Sequence, residues 1–171
     1  PKERKVSFYS SKDLKSWAHL SDFGLVGAVD GDWECPDLFP LFVDGDENKV
    51  KWVLLISINP GGLTGGSGTQ YFVGEWNGKE FSADNVKTNW LDYGRDNYAG
   101  ITFNDAPNQR RVFIGWMNNW EYAHGFPTSP WRGAMTLPRE LTLVNKDGKF
   151  LLAANPVAEL DNYLGEKISA G

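Results

Sequence analysis

Polar and apolar residues alternate over Lys5 to Ser10, and this period of two predicts a strand. A polar turn follows from Ser11 to Ser16 and closes on Trp17. Leu20 to Gly31 is punctuated by glycine and reads as a loop leading into Asp32-Trp33-Glu34-Cys35-Pro36-Asp37. Leu38 to Val43 predicts a short strand. Asp44 to Asn48 predicts a hairpin turn, and Lys49 to Ile58 a strong strand whose unbroken apolar run requires cover on both faces. Asn59 to Gly68 is glycine-rich. A further strand, Thr69 to Trp76, follows at once, so the glycine-rich stretch is read as a loop within one sheet. Asn77-Gly78 carries the hairpin signal. Strands are expected again at Gly100–Phe103, Arg110–Met117, Gly133–Leu137, Leu141–Val144 and Lys149–Ala153, and a weakly helical or coiled tail from Asn155.

The pattern is therefore all-β, built from short strands and tight turns with no convincing helix. Recurring hairpins suggest four-stranded units arranged radially, as in a β-propeller, with a two-sheet sandwich as the alternative. At about 45 residues per blade, three to four blades are expected.

Composition narrows the function. The chain has 171 residues with 17 basic and 22 acidic side chains, a net charge of −5. No basic stripe is present, which argues against nucleic acid as a partner. No apolar run nears the roughly 18 residues that would span a bilayer, so no membrane partner is expected. His19, His124 and the lone Cys35 have no metal-ligand spacing; neither metal nor cofactor is expected. Aromatic residues make up 14% of the chain, eight of them tryptophan, which supplies either core or surfaces that stack on sugars.

Glu34 is the first candidate for chemistry. A carboxylic acid between an indole and a thiol, shielded from water, holds its proton to higher pH, as a general acid needs. The plainer alternative is a solvated or ion-paired glutamate beside a core tryptophan. Asp92 and Arg95, three apart around Gly94, could hydrogen-bond sugar hydroxyls from one wall of a pocket, or satisfy each other in a turn. Trp116 and Trp120 offer stacking surfaces, with Asn118 and Asn119 as amide donors between them. Trp116 could equally close a core.

Trp33-Glu34-Cys35-Pro36-Asp37 resembles the Glu-Cys-Pro motif of glycoside hydrolase family 32, the invertases, inulinases and levanases. Further segments follow in family order: Ser57 to Gly62 with Gly66 to Gly74, Asp92-Tyr93-Gly94 with Tyr98-Ala99, Arg111 to Met117, and Trp131 to Leu141. The resemblance implies a five-bladed propeller followed by a β-sandwich, with residues 1–150 as part of the propeller and 151–171 as the link to the sandwich. It implies a secreted retaining hydrolase of β-fructofuranosides (sucrose, inulin or levan) in which Glu34 is the acid and base. Asp92, Arg95, Trp116, Trp120 and Cys35 would line the substrate site. A fructosyltransferase, or a fructan-binding propeller without catalysis, would share these segments.

One departure matters. The family's nucleophile lies in an Asn-Asp-Pro-Asn segment and a second aspartate in Arg-Asp-Pro, and neither occurs in this sequence. Retaining hydrolysis needs two carboxyl groups about 5–5.5 Å apart. The expectation is a piece of a longer enzyme that carries the acid/base and depends on other segments for the nucleophile and for the rest of the propeller and the sandwich.

Overall fold

Eleven strands and three short 3-10 turns make up the described chain. The computed structural model describes residues 3–165. Strands β1 (Lys5–Ser10) and β2 (Ala18–Gly24) form an antiparallel ribbon. β3 (Asp32–Val43), β4 (Asp46–Asn59), β5 (Gly68–Trp76) and β6 (Phe81–Ala83) follow as an antiparallel meander. The two-residue β7 (Asn89–Trp90) shares the outer edge of β5 with β6. A second meander comprises β8 (Tyr98–Thr102), β9 (Arg111–Trp116), β10 (Arg139–Lys146) and β11 (Lys149–Pro156). The two meanders touch edgewise at a single parallel pair, Leu143 and Val43. The fold is all-β, part of a five-bladed propeller: two four-stranded blades and a two-stranded ribbon belonging to a third.

β4 shows why the layers stack. Successive side chains on a strand point to opposite faces. Leu54, Ile56 and Ile58 pack with Trp33, Phe72, Phe81 and Val6 beneath the ribbon. Val53 and Leu55 pack with Phe39, Tyr71, Phe113, Leu141 and Leu143 between the blades. The unbroken apolar run of β4 is thus covered on both faces, as its sequence requires.

Three expectations are corrected. The stretch from Leu20 is not all loop: β2 occupies its first part, because Phe23 packs edge-on against Phe72 and Phe81, both at 5.1 Å between ring centroids. Gly24 is needed there for close approach to β1, since a Cβ would lie 2.4 Å from the Arg4 carbonyl oxygen. The strand expected from Leu38 begins earlier: β3 opens at Asp32 and takes in the Trp33-Glu34 motif. Gly133 to Leu137 forms no strand; it meets the end of β9 at one bridge, Trp116 with Met135. β9 buries Phe113 and Gly115 fully and the rest of its residues partly. β11 runs to Pro156.

Pairing registers bring one set of strand ends together. The start of β3 lies opposite the end of β4 (Asp32 with Asn59), and the start of β5 meets that same end (Gly68 with Ile58). In the second blade the start of β8 faces the end of β9 (Tyr98 with Trp116), and β10 begins beside them at Arg139.

Candidate functional site

Those strand ends carry the candidate residues. Glu34 sits on β3 immediately before a β-bulge that spans Cys35 and Pro36, and Cys35 takes a left-handed backbone conformation (φ 47°). A bulge re-aims a side chain and ends regular pairing. β8 carries a matching irregularity between Tyr98 and Ile101, with Ala99 also left-handed (φ 50°). The inner strands of the two blades are therefore both broken at this end. Between the bulges, Asp37 ties them: its Oδ2 accepts from the backbone N–H and the hydroxyl of Thr102, each at 2.7 Å.

Glu34 is not shielded as its neighbours in sequence suggest. Trp33 is 3% exposed, points to the opposite face of β3 and donates its indole N–H to the Ala28 carbonyl at 2.8 Å. Period-two alternation forces this separation. Glu34 and Cys35 are both exposed. Partial burial and the adjacent Glu34 carboxylate push the Cys35 thiol up, so it remains a neutral thiol. The group that does meet Glu34 is the buried phenol of Tyr98, whose hydroxyl donates to Glu34 Oε2. Burial first, and the carboxylate second, push the Tyr98 hydroxyl well above the usual phenol range. It is a permanent donor.

Asp92 and Arg95 do not satisfy each other. Asp92 Oδ1 accepts the Gly94 N–H at 2.6 Å, and Oδ2 accepts from Asn97 at 3.2 Å and from the Arg139 guanidinium. Burial pushes the Asp92 carboxyl up, but the Gly94 N–H and Arg139 outweigh it and hold the group below the usual carboxylate range. Counting lone pairs, Oδ2 is filled and Oδ1 keeps one site for a further donor. Arg95 instead pairs with Glu121 and lies over the Tyr122 ring, 5.3 Å from its centroid. Asn97 and Tyr98 are consecutive, so the Asp92 and Glu34 clusters adjoin.

Trp116 is the cross-strand partner of Tyr98, which places the two side chains on one face of the sheet. Its ring lies 4.9 Å from that of Trp120, centroid to centroid, and Trp120 is 44% exposed. Trp116 is half-buried, so it is neither core nor free surface. Asn118 and Asn119 are both buried; Asn118 Oδ1 accepts the Asn119 N–H at 2.8 Å, and Asn119 spends its amide on backbone carbonyls, which corrects the expectation that Asn119 is an available amide donor. A cavity of about 670 Å³ lies at the opposite ends of the strands, beside Pro40, Phe42, Val50 and Arg111, and contains none of these residues.

Tyr98, Asn97, Arg139 and Glu121 escaped the sequence reading as site residues. Tyr98 lies 64 positions from Glu34 and Arg139 lies 47 from Asp92, beyond any local pattern. The one available signal was Tyr98 just ahead of the strand expected from Gly100.

An exposed carboxylate with a fixed phenol donor, an ionised aspartate with a spare acceptor site and a pair of tryptophans can bind a polyhydroxyl ligand and exchange a proton with it. Residues 1–154 match the family model for the glycosyl hydrolases family 32 N-terminal domain. The chain is 46% identical over 166 residues to the levanase of Bacillus subtilis, covering 94% of this chain and 24% of that one. It is 45% identical over 161 residues to the extracellular exo-inulinase of Aspergillus niger, covering 89% and 30%. Among solved structures, the exo-inulinase of Aspergillus awamori matches with a TM-score of 0.85 and 43% identity over 91% of this chain and 32% of that one. The fructofuranosidase of Schwanniomyces occidentalis complexed with fructose gives a TM-score of 0.83 at 36% identity, over 91% and 31%. The chain thus spans less than a third of the length of these relatives.

Proposed function

The chain belongs to glycosyl hydrolase family 32, and on that premise we propose that the whole protein cleaves β-fructofuranosides such as sucrose, inulin or levan with retention, using Glu34 as acid and base. The observation that carries this reading is the exposed Glu34 carboxylate held by the Tyr98 hydroxyl at the bulged head of β3. In the first step, protonated Glu34 gives its proton to the departing glycosidic oxygen while a second carboxylate attacks the fructosyl carbon. In the second, Glu34 as carboxylate takes a proton from the water that releases fructose. Tyr98 keeps the carboxylate aimed in both steps.

Asp92 is assigned to a sugar hydroxyl through the open acceptor site on Oδ1, Arg95 to the adjoining sugar, and Trp116 and Trp120 to the pocket wall, with Cys35 beside the acid. The second carboxylate is assigned to a segment outside these 171 residues, because the sequence contains no Asn-Asp-Pro. The connection toward a β-sandwich expected over residues 151–171 is assigned to the part of that stretch that follows β11. Relatives described as extracellular support secretion.

The test is Glu34→Gln in the full-length protein. Fructose release from sucrose should fall by about 10²–10⁴-fold, the usual contribution of acid–base catalysis, while sucrose binding measured by calorimetry persists. Unchanged turnover removes Glu34 from the mechanism.

A further inference from the structure

Asn119 has no exposed surface, yet its amide is the most heavily bonded side chain at this end of the blades. Its Nδ2 donates to the carbonyl oxygens of Arg95 (2.9 Å), Gly65 (3.1 Å) and Ser67 (3.4 Å). Its Oδ1 accepts the backbone N–H groups of Ser67 (3.1 Å) and Glu121 (2.9 Å). One amide therefore holds three loops: the glycine-rich loop after β4, the loop after Asp92, and the loop after β9. The seat is close. Gly66 has φ +62°, and a Cβ there would lie 2.0 Å from Asn119 Oδ1. Ser67 extends the knot, accepting the Trp120 N–H at 3.1 Å and donating to Asn59 Oδ1 at 3.2 Å.

Few apolar contacts could do this work. Leu63 is the sole apolar side chain between Pro60 and Tyr71 and is half exposed. The glycines cost conformational entropy to order. The Arg95–Glu121 pair is half exposed at both ends, and exposed ion pairs contribute little by themselves. The backbone on either side is what fixes it, and Asn119 holds that backbone on both: Arg95 by its carbonyl, Glu121 by its N–H. Glu34 and Asp92 are held separately, by Tyr98 and by Arg139.

Resting on the fructosidase reading above, we infer that Asn119 is a positioning residue that sets Arg95 and Trp120 as one outer wall and so governs binding of the sugar attached to the fructosyl group. It acts through Arg95 and Trp120 and leaves proton transfer alone.

The experiment is a double-mutant cycle in the full-length protein on sucrose. Asn119→Ala frees the three loops it holds and should raise KM about tenfold, the equivalent of about 1.4 kcal/mol of lost sugar binding. It should leave kcat within about twofold and the pH–rate profile in place. Added to Arg95→Ala, it should raise KM by less than about threefold, because both act on the same wall. Gly66→Ala, which pushes on the same amide, should reproduce the KM effect if Asn119→Ala does not fold. A fall in kcat with a displaced pH profile, or KM effects that multiply in full, overturns the inference. If the wild-type protein releases fructose and Glu34→Gln does not, that failure is confined to Asn119. If the wild type acts on no fructoside, the fructosidase reading fails with it.

Discussion

The hydroxyl of Tyr98, on the first strand of the second blade, donates to the carboxylate of Glu34, on the first strand of the first. The contact crosses the seam between blades at the point where both strands bulge. It makes the aim of Glu34 a property of how the blades stack. Removing the hydroxyl with Tyr98→Phe takes away a hydrogen bond to a charged group, about 1.5–3 kcal/mol. A kcat on sucrose about ten- to hundredfold lower is expected, with KM little changed. A kcat within twofold of wild type would show that the phenol does not aim the acid.

Arg139 and Asp92 give a prediction in pH. The Asp92 carboxyl is held below the usual carboxylate range against the opposing effect of burial, by the Gly94 N–H and Arg139. Arg139→Met removes the cation and leaves burial, so Asp92 takes up a proton at higher pH than in the wild type. Sucrose KM, followed against pH, should begin its acid-side rise at higher pH in the variant. Coincident profiles would mean that Asp92 does not bind the sugar as an anion.

Phe113 is the keystone between the blades. It is fully buried with Phe39, Leu141 and Leu143, and Gly100 lies so close that a Cβ would come within 2.1 Å of its ring. Phe113→Ala should destabilise the full-length protein by about 3–5 kcal/mol in denaturant unfolding. A loss below about 1 kcal/mol would indicate that the layer relaxes around the cavity.

The C-terminal 3-10 turn, Ala158–Tyr163, is clamped by Arg110, which bonds Glu159 through both oxygens (2.6 and 3.0 Å) and Glu140 at 2.9 Å. Arg110 holds the Glu159 carboxyl down to about 2. A depressed carboxylate contributes its stability above its unfolded value, about 4.3 for glutamate. The clamp should therefore be complete at neutral pH and weaken only as pH falls from about 4 toward 2. Protection factors of the amides around residue 160, taken against the intrinsic exchange rate at each pH, should fall across that window, and Glu159→Gln should show the lower protection already at neutral pH. Protection independent of both would place the anchor elsewhere.

Much of the architecture was legible along the chain. Alternation at Lys5–Ser10 and the apolar run of Lys49–Ile58 mark β1 and β4 because burial acts with the period of the strand itself. β2 was hidden because its inward face offers mainly Phe23 among polar neighbours. Gly133–Leu137 looked like a strand because its apolar residues run together, but it finds a partner only at the end of β9.

Pattern along the chain was enough for the all-β character, the order of the family-like segments, and Glu34, Asp92, Arg95, Trp116 and Trp120 as the residues to consider. The tertiary structure decided what each of them meets. Trp33 does not shelter Glu34, because neighbours on a strand face opposite ways. Arg95 does not meet Asp92, because Arg139 and Glu121 reach them first from another strand and another loop. Local pattern reports on neighbours within a turn or a strand repeat. The partners of Glu34 and Asp92 lie dozens of residues away, and only the packing of one blade on the next, through Phe39, Phe113 and Leu141, sets them in contact.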